Sequence, residues 1–226
     1  MSKLTFDEAG KRYYETGIDQ CVLYVMSGGA YPLGVAWNGI TKISEKPTGA
    51  EAKALYADNI KYLNLVSAEE FEASIEAYTY PEEWEQCDGS AGLGSIDGIT
   101  VGQQDRKTFG LAYRTIIGND QSNKYYKYHL IYGCVAQPSE RAYSTVNDSP
   151  EAISFSWDVK TTPVNVTGMK PTACVTIDSR KLSAARKAAL EAALYGTDTV
   201  GQTQGTDPYL PTPNDLIALL GPITNT

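Results

Sequence analysis

Histidine is nearly absent from this chain of 226 residues, where His129 stands alone. A zinc or facial-triad site built on paired imidazoles is therefore not expected. A nucleophile triad would need that one imidazole beside an activated serine or cysteine, and no G-x-S-x-G run accompanies it. An ordinary hydrogen-bonded or surface histidine is the simpler reading. The four cysteines, Cys21, Cys87, Cys134 and Cys174, lie far apart with no C-x-x-C pair. They read as small buried hydrophobes in a reducing compartment, not as a disulfide frame. No stretch approaches the roughly 18 apolar residues of a membrane span, and residues 1–20 carry charges throughout, so neither membrane insertion nor a signal peptide is expected. Basic residues are also short: 19 Lys and Arg face 27 Asp and Glu, a net charge of −8. A surface that grips nucleic acid needs the opposite balance.

Two further chemistries lack their signatures. The run Gly92-Leu-Gly94-Ser-Ile-Asp-Gly98 misses the G-x-G-x-x-G spacing and the Lys-Ser/Thr of a P-loop, so a flexible connection is expected there. Carboxylates are plentiful, as in Glu82, Glu83 and Glu85, and a glycosidase pair is not excluded by sequence. Nothing around them forms a pocket signature, and a solvated helix start explains them more simply. No catalytic residue, cofactor or metal ligand is assigned.

What is present is tyrosine, 16 of them, in a chain whose apolar fraction of 42% supports a core without disulfides or metal. Tyrosine favours strands and subunit interfaces. The acid is concentrated: residues 45–97 hold twelve carboxylates against Lys46, Lys53 and Lys61, which accounts for the whole net charge. Period-two alternation predicts half-buried strands at 109–117, 125–136 and 152–159, with further candidates at 21–26, 32–43, 60–66 and 172–178. In 125–136, Tyr126, Tyr128, Leu130, Tyr132 and Cys134 share one side. Gly and Asn clusters punctuate these runs at 118–120 and 147–150.

Segment 69–80 fits a strand or a helix, and the Ala77-Tyr-Thr-Tyr-Pro81 ending favours a strand. A strand places Glu70, Glu72, Ser74 and Glu76 on one face, with no lysine close in sequence. Such a row is tolerated only in water. Helices are predicted after Pro81, from Ser183 through Leu194 with Gly196 as its stop, and from Pro213 onward. The middle one carries an apolar stripe of Ala189, Leu190, Ala193 and Leu194. Residues 44–59 show no strand period and read as a long loop in which 50–56 form one or two helical turns.

Several ordered motifs carry a resemblance. They are Ala77-Tyr-Thr-Tyr-Pro-Glu-Glu-Trp-Glu-Gln-Cys-Asp-Gly, Phe109-Gly-Leu-Ala-Tyr-Arg-Thr with Gly118-Asn-Asp, and Tyr128-His-Leu-Ile-Tyr-Gly-Cys-Val-Ala-Gln-Pro-Ser-Glu. Asn147-Asp-Ser-Pro-Glu-Ala, Phe155-Ser-Trp, Thr161-Thr-Pro-Val, Leu194-Tyr-Gly-Thr-Asp and Leu210-Pro-Thr-Pro follow. Together they resemble the major tail tube proteins of long, non-contractile-tailed bacteriophages, particularly those of Gram-positive hosts, over most of residues 70–220.

The resemblance implies a mainly β fold, a β-sandwich or barrel with one flanking α-helix and short peripheral helices, over residues 1–196. It implies a long inter-ring loop at 44–59, with Glu45, Lys46, Glu51, Lys53, Tyr56 and Asp58 as its contact candidates, and a C-terminal arm at 197–226. Six copies would close into a ring and rings would stack into a virion tail tube, assembled in the host cytoplasm. Its partners would be further copies of itself, the tape-measure protein, and the distal tail and tail terminator proteins. Double-stranded DNA would pass through without specific binding, along a lumen for which Glu70, Glu72 and Glu76 are the candidate lining. A carboxylate-based glycoside hydrolase and a carbohydrate-binding β-sandwich module are the competing readings.

Overall fold

The computed structural model describes residues 4–49, 51–67, 69–94, 96, 98–121, 124–145, 152–200 and 204–221. In chain order the strands are β1 (Tyr13–Val25), β2 (Val35–Ala36), β3 (Ile40–Gly49), β4 (Ala52–Ala57), β5 (Ile60–Val66), β6 (Glu69–Ala77), β7 (Ala91–Gly92), β8 (Thr100–Val101), β9 (Phe109–Asn119), β10 (Lys124–Ala136), β11 (Phe155–Thr161) and β12 (Cys174–Asp178). The helices are α1 (Glu85–Asp88), α2 (Ala184–Tyr195) and α3 (Pro213–Leu220). The fold is mainly β, as expected. Eight strands form one antiparallel sheet in the order β2-β1-β9-β10-β11-β6-β3, with β12 added beside β10. The sheet curls until β3, its last strand, contacts β1.

The curl encloses a first core built from alternate residues of every long strand. Cys21 and Leu23 of β1 meet Phe109, Leu111 and Tyr113 of β9, and Ala73, Ile75, Trp157 and Val159 from β6 and β11. All three tryptophans of the chain meet at its centre. Trp37 and Trp84 lie 4.5 Å apart and Trp84 and Trp157 lie 5.2 Å apart, with Phe109 packed 5.0 Å from Trp84. Truncating one such buried ring to alanine costs about 3–5 kcal/mol.

The intervening residues of β1, β9 and β10 point the other way, into a second core. Here Val22, Tyr24, Ala112, Tyr128, Leu130 and Tyr132 pack against Leu190 and Leu194 of α2 and Leu216 of α3. The sequence reading of half-buried strands is thus corrected for this middle layer, where β9 and much of β10 are buried on both faces. Buried tyrosine hydroxyls find partners across the layers: Tyr24 donates to the Leu194 carbonyl at 2.6 Å, and Tyr132 donates to the Pro211 carbonyl at 2.9 Å. A paired hydroxyl removes the penalty of burying it.

The expected placement of Cys134 beside Tyr132 is also corrected. The ladder shifts between Ile131 and Cys134, at Gly133 with φ +61°, and Cys134 turns into the first core. A Cβ on Gly133 would stand 2.1 Å from the Thr162 carbonyl oxygen, so only glycine fits this bulge.

The described residues of 44–59 are paired strands and a tight turn, not a long loop. The first part, 44–49, continues β3 and pairs residue for residue with β6. Ala52–Ala57 is strand β4, not a helical turn, and pairs with β5. Apart from Glu45, whose carboxylate turns inward, both pieces are mostly exposed, so backbone pairing holds them without the hydrophobic alternation that reveals a strand in sequence.

The predicted helices form. Ser183 Oγ accepts from Arg186 N at the start of α2, and Gly196 (φ +74°) ends it. A Thr212–Asp215 capping box starts α3. The segment expected as a C-terminal arm is, over 204–221, part of the domain. Leu210 N donates to the Tyr31 carbonyl, Gly34 N donates to the Pro208 carbonyl, and Leu210 and Leu216 are buried in the second core. The expected turn at 147–150 and the residues 222–226 lie outside the described residues.

Leu210→Ala tests that integration. It is expected to lower unfolding stability by about 2–5 kcal/mol in urea denaturation, as for any buried leucine. An unchanged midpoint would mean that the segment is not part of the fold.

Candidate functional site

Three surfaces and one polar cluster hold the residues that sequence singled out. The first surface is the outer face of β6 with its neighbours β3 and β11. Glu70, Glu72 and Glu76 do line up on it, while Phe71, Ala73, Ile75 and Ala77 face the first core. The row is not a bare stripe of acid. Lys42 Nζ lies 3.1 Å from Glu76, and Lys160 Nζ lies 3.5 Å from Glu72. Lys46 stands opposite Glu72 in the ladder and 3.6 Å from Asp158. The row has no lysine close in sequence, as read, and its partners come instead from strands distant in sequence, which one strand's pattern does not reveal.

The second surface is the β4–β5 hairpin, which forms a two-stranded sheet of its own. Its turn residues Asp58 and Asn59 both take left-handed φ, 51° and 63°. This is the geometry of a tight type I′ hairpin, and the adjacent Asp-Asn pair was the overlooked sequence signal. Tyr56, Ile60, Tyr62, Leu65 and Val66 are each more than half exposed. A lone hairpin with this much apolar surface is marginal in water, and such surface marks contact with another molecule. Of the six loop candidates, Lys53, Tyr56 and Asp58 belong to this hairpin, and Glu51 is exposed at its root. Lys46 joins the charged face instead.

Glu45 goes elsewhere. Its carboxylate points inward from β3 and accepts from the Tyr113 hydroxyl at 2.6 Å, with His129 Nδ1 at 3.1 Å. On the other side of the imidazole, Nε2 lies 3.2 Å from Thr115 Oγ1, which donates to Glu15 at 2.6 Å. Lys127 pairs with the same Glu15. The ring of His129 stacks on Tyr113, with centroids 4.7 Å apart and planes 3° apart. The His129 contact, then Tyr113 and the nearby charges, hold the Glu45 carboxyl below the usual range in spite of burial. Burial opposes the same effect at Glu15, where the Lys127 and Thr115 bonds prevail. Burial and the Glu45 bond push the Tyr113 phenol up.

The third surface is a groove of about 490 Å³ between β1 and residues 36–40, lined by Ile18, Cys21, Trp37, Ile40 and Tyr195. Its one carboxylate, Asp19, is held bidentately by Arg114 at 2.6 and 3.0 Å. No second acid faces it, so the groove does not present a hydrolytic pair. Among the described residues, no three His, Cys, Asp or Glu side chains assemble as a metal-ligand set. The cysteines are free, and burial pushes the Cys87 thiol up to about 12. No helix among the described residues is long and apolar enough to cross a membrane.

No protein-family model and no curated protein matches the chain. Among solved structures it is similar to a chain of the anti-feeding prophage (AFP) baseplate, determined by cryo-EM with six-fold symmetrisation. The two are 7% identical with a TM-score of 0.38, over 77% of this chain and 97% of that one. A likeness of that size carries no statement about function.

Proposed function

We propose that the chain is the repeating subunit of a bacteriophage tail tube, in which six copies close into a ring and rings stack around a channel for DNA. The observation that carries the reading is the β4–β5 hairpin, a folded element that projects apolar side chains to solvent with no core beneath it. An exposed hairpin of this kind is stabilised when a neighbouring copy covers it. The outer edge of β3 supports the same reading, because among the described residues no strand pairs with the backbone groups along it. The ordered motifs at 77–89, 109–120, 128–140 and 155–164, with their likeness to tail tube proteins, add the specific identity. In the assembled tail the end rings would meet the distal and terminator proteins, and the tape-measure protein would occupy the channel before DNA does.

The charged face of β3, β6 and β11 is the candidate channel lining. It opposes Glu70, Glu72, Glu76 and Asp158 with Lys42, Lys46 and Lys160, leaving the face itself one charge negative in each subunit. Lysines bound to carboxylates are not free to hold phosphates, and alternating charges cancel beyond the Debye length of about 8 Å. DNA would then pass a hydrated, nearly neutral wall with a slight repulsive bias.

Electron microscopy of the purified protein, alone and with a distal-tail initiator complex to seed growth, tests the assembly. Rings or tubes are expected. A chain that adds to no seed, and instead hydrolyses or retains glycans as a monomer, would overturn the reading. A double substitution of Ile60→Ser with Tyr62→Ser separates assembly from folding. Both residues are solvent-exposed, so subunit stability should stay within about 0.5 kcal/mol by denaturant titration while ring or tube yield falls sharply.

A further inference from the structure

We propose that His129 is the pin of a pH-sensitive clasp that locks β3, and with it the root of the β4–β5 hairpin, onto the β1–β9–β10 layer. The clasp is a property of the single chain and stands whether or not the chain assembles.

The argument is an inventory of protons. Thr115 has one hydroxyl proton, and the 2.6 Å contact to Glu15 uses it. The 3.2 Å contact between Thr115 Oγ1 and His129 Nε2 therefore needs a proton on the ring nitrogen. On the other side, an ionised Glu45 has no proton to give, and its Oε1 already accepts from Tyr113. The 3.1 Å contact at Nδ1 then needs a second ring proton. Both nitrogens donate, so the geometry calls for the imidazolium form, suspended between Glu45 on β3 and the Thr115–Glu15 pair on β9 and β1. Glu15 Oε1 also lies 3.7 Å from Nε2.

The groups facing the ring come from every neighbouring strand. Glu15 faces it from β1, Glu45 from β3, Tyr113 from β9 and Lys127 from β10, where Lys127 is paired with Glu15. Cys174, from the β12 strand that flanks His129, lies within the field of Glu45 and of Glu69 on β6. Two carboxylates thus flank one imidazolium, and the nearest lysine is already committed to one of them.

The sign of the pH dependence follows from which form each contact needs. Loss of either imidazole proton would leave one of these acceptors without a donor. Glu15 and Glu45, both held below the usual carboxylate range, contribute fully above the unfolded carboxylate value of about 4.3 and withdraw as the pH falls through their folded values. The clasp therefore loosens as the pH falls through the folded values of the two carboxylates.

Because the chain has a single histidine, ¹⁵N NMR of the imidazole reads the pin directly. Protons on both nitrogens are expected in the folded protein just above the carboxylate range. Glu45→Gln should shift the ring ¹⁵N resonances at one fixed pH, whereas Glu70→Gln, on the outer face, should leave them unchanged. Opening is read by alkylation of Cys21, which is buried between the layers, at one fixed pH. His129→Gln is expected to speed it on the order of tenfold, the loss of one charge-assisted hydrogen bond. Ring ¹⁵N resonances identical in wild type and Glu45→Gln, or Cys21 alkylation unchanged in His129→Gln, would overturn the clasp.

Discussion

Burial of one layer on both faces is the constraint from which most of this fold follows. The strands β1, β9 and β10 send alternate residues into two cores, so neither face can be left to water. One face is closed by the curl of the sheet, which brings β6, β11 and β3 around the tryptophan cluster. The other face must be closed by something outside the sheet, and α2, α3 and residues 204–221 do so. This is why the C-terminal segment is anchored instead of free, and why Gly110 has no side chain: a Cβ there would stand 2.4 Å from Leu210. It also explains part of the tyrosine excess. Tyr24, Tyr128 and Tyr132 fill the second core with aromatic bulk, while each hydroxyl reaches a polar group at the core's margin.

Sequence periodicity found most of the strands because alternation was present in them, even where both faces turned out to be buried. Segment 109–117 reads as large residues alternating with Gly110 and Ala112, and these small residues are the ones that lie under the C-terminal segment. Helix boundaries were legible for local reasons, since Ser183, Gly196 and the Thr212–Asp215 box act within a few residues of chain. The failures share one cause. In 44–59 the strands are held by backbone pairing with mostly exposed side chains, so hydropathy carries no period. At Cys134 the side is set by a bulge whose reason, the Thr162 carbonyl, lies far along the chain. The charge partners of Glu72 and Glu76 are equally remote, and Glu45 could not be told from its acidic neighbours until β3 was seen to turn it inward.

That last residue changes what the acidic region means. Glu45 and Glu70 belong to the same cluster in sequence, yet one is half-enclosed against Tyr113 and His129 and the other stands in water. Glu72 and Glu76 sit between these extremes, each beside a lysine. A single count of carboxylates therefore merges three physical situations: a clasp in which the charge is needed, a ladder in which it is compensated, and an exposed residue where it is merely solvated. Only the last two can contribute a field to a surface.

In the assembly we propose, the hairpin and the charged face would divide the labour by their chemistry. Apolar side chains such as Tyr62 and Ile60 gain free energy wherever water is removed from them, so they supply attraction with little directional demand. A ladder of paired charges gains little from contact, because desolvating an ion pair offsets its attraction. A face of that kind would stay wet and unattached in a ring of six copies. In the proposed assembly, adhesion falls to the exposed hairpin, and the flat of the sheet is left free of it. The proposed tube needs that separation, since the surface that joins one subunit to the next must not be the surface that whatever moves through the channel touches.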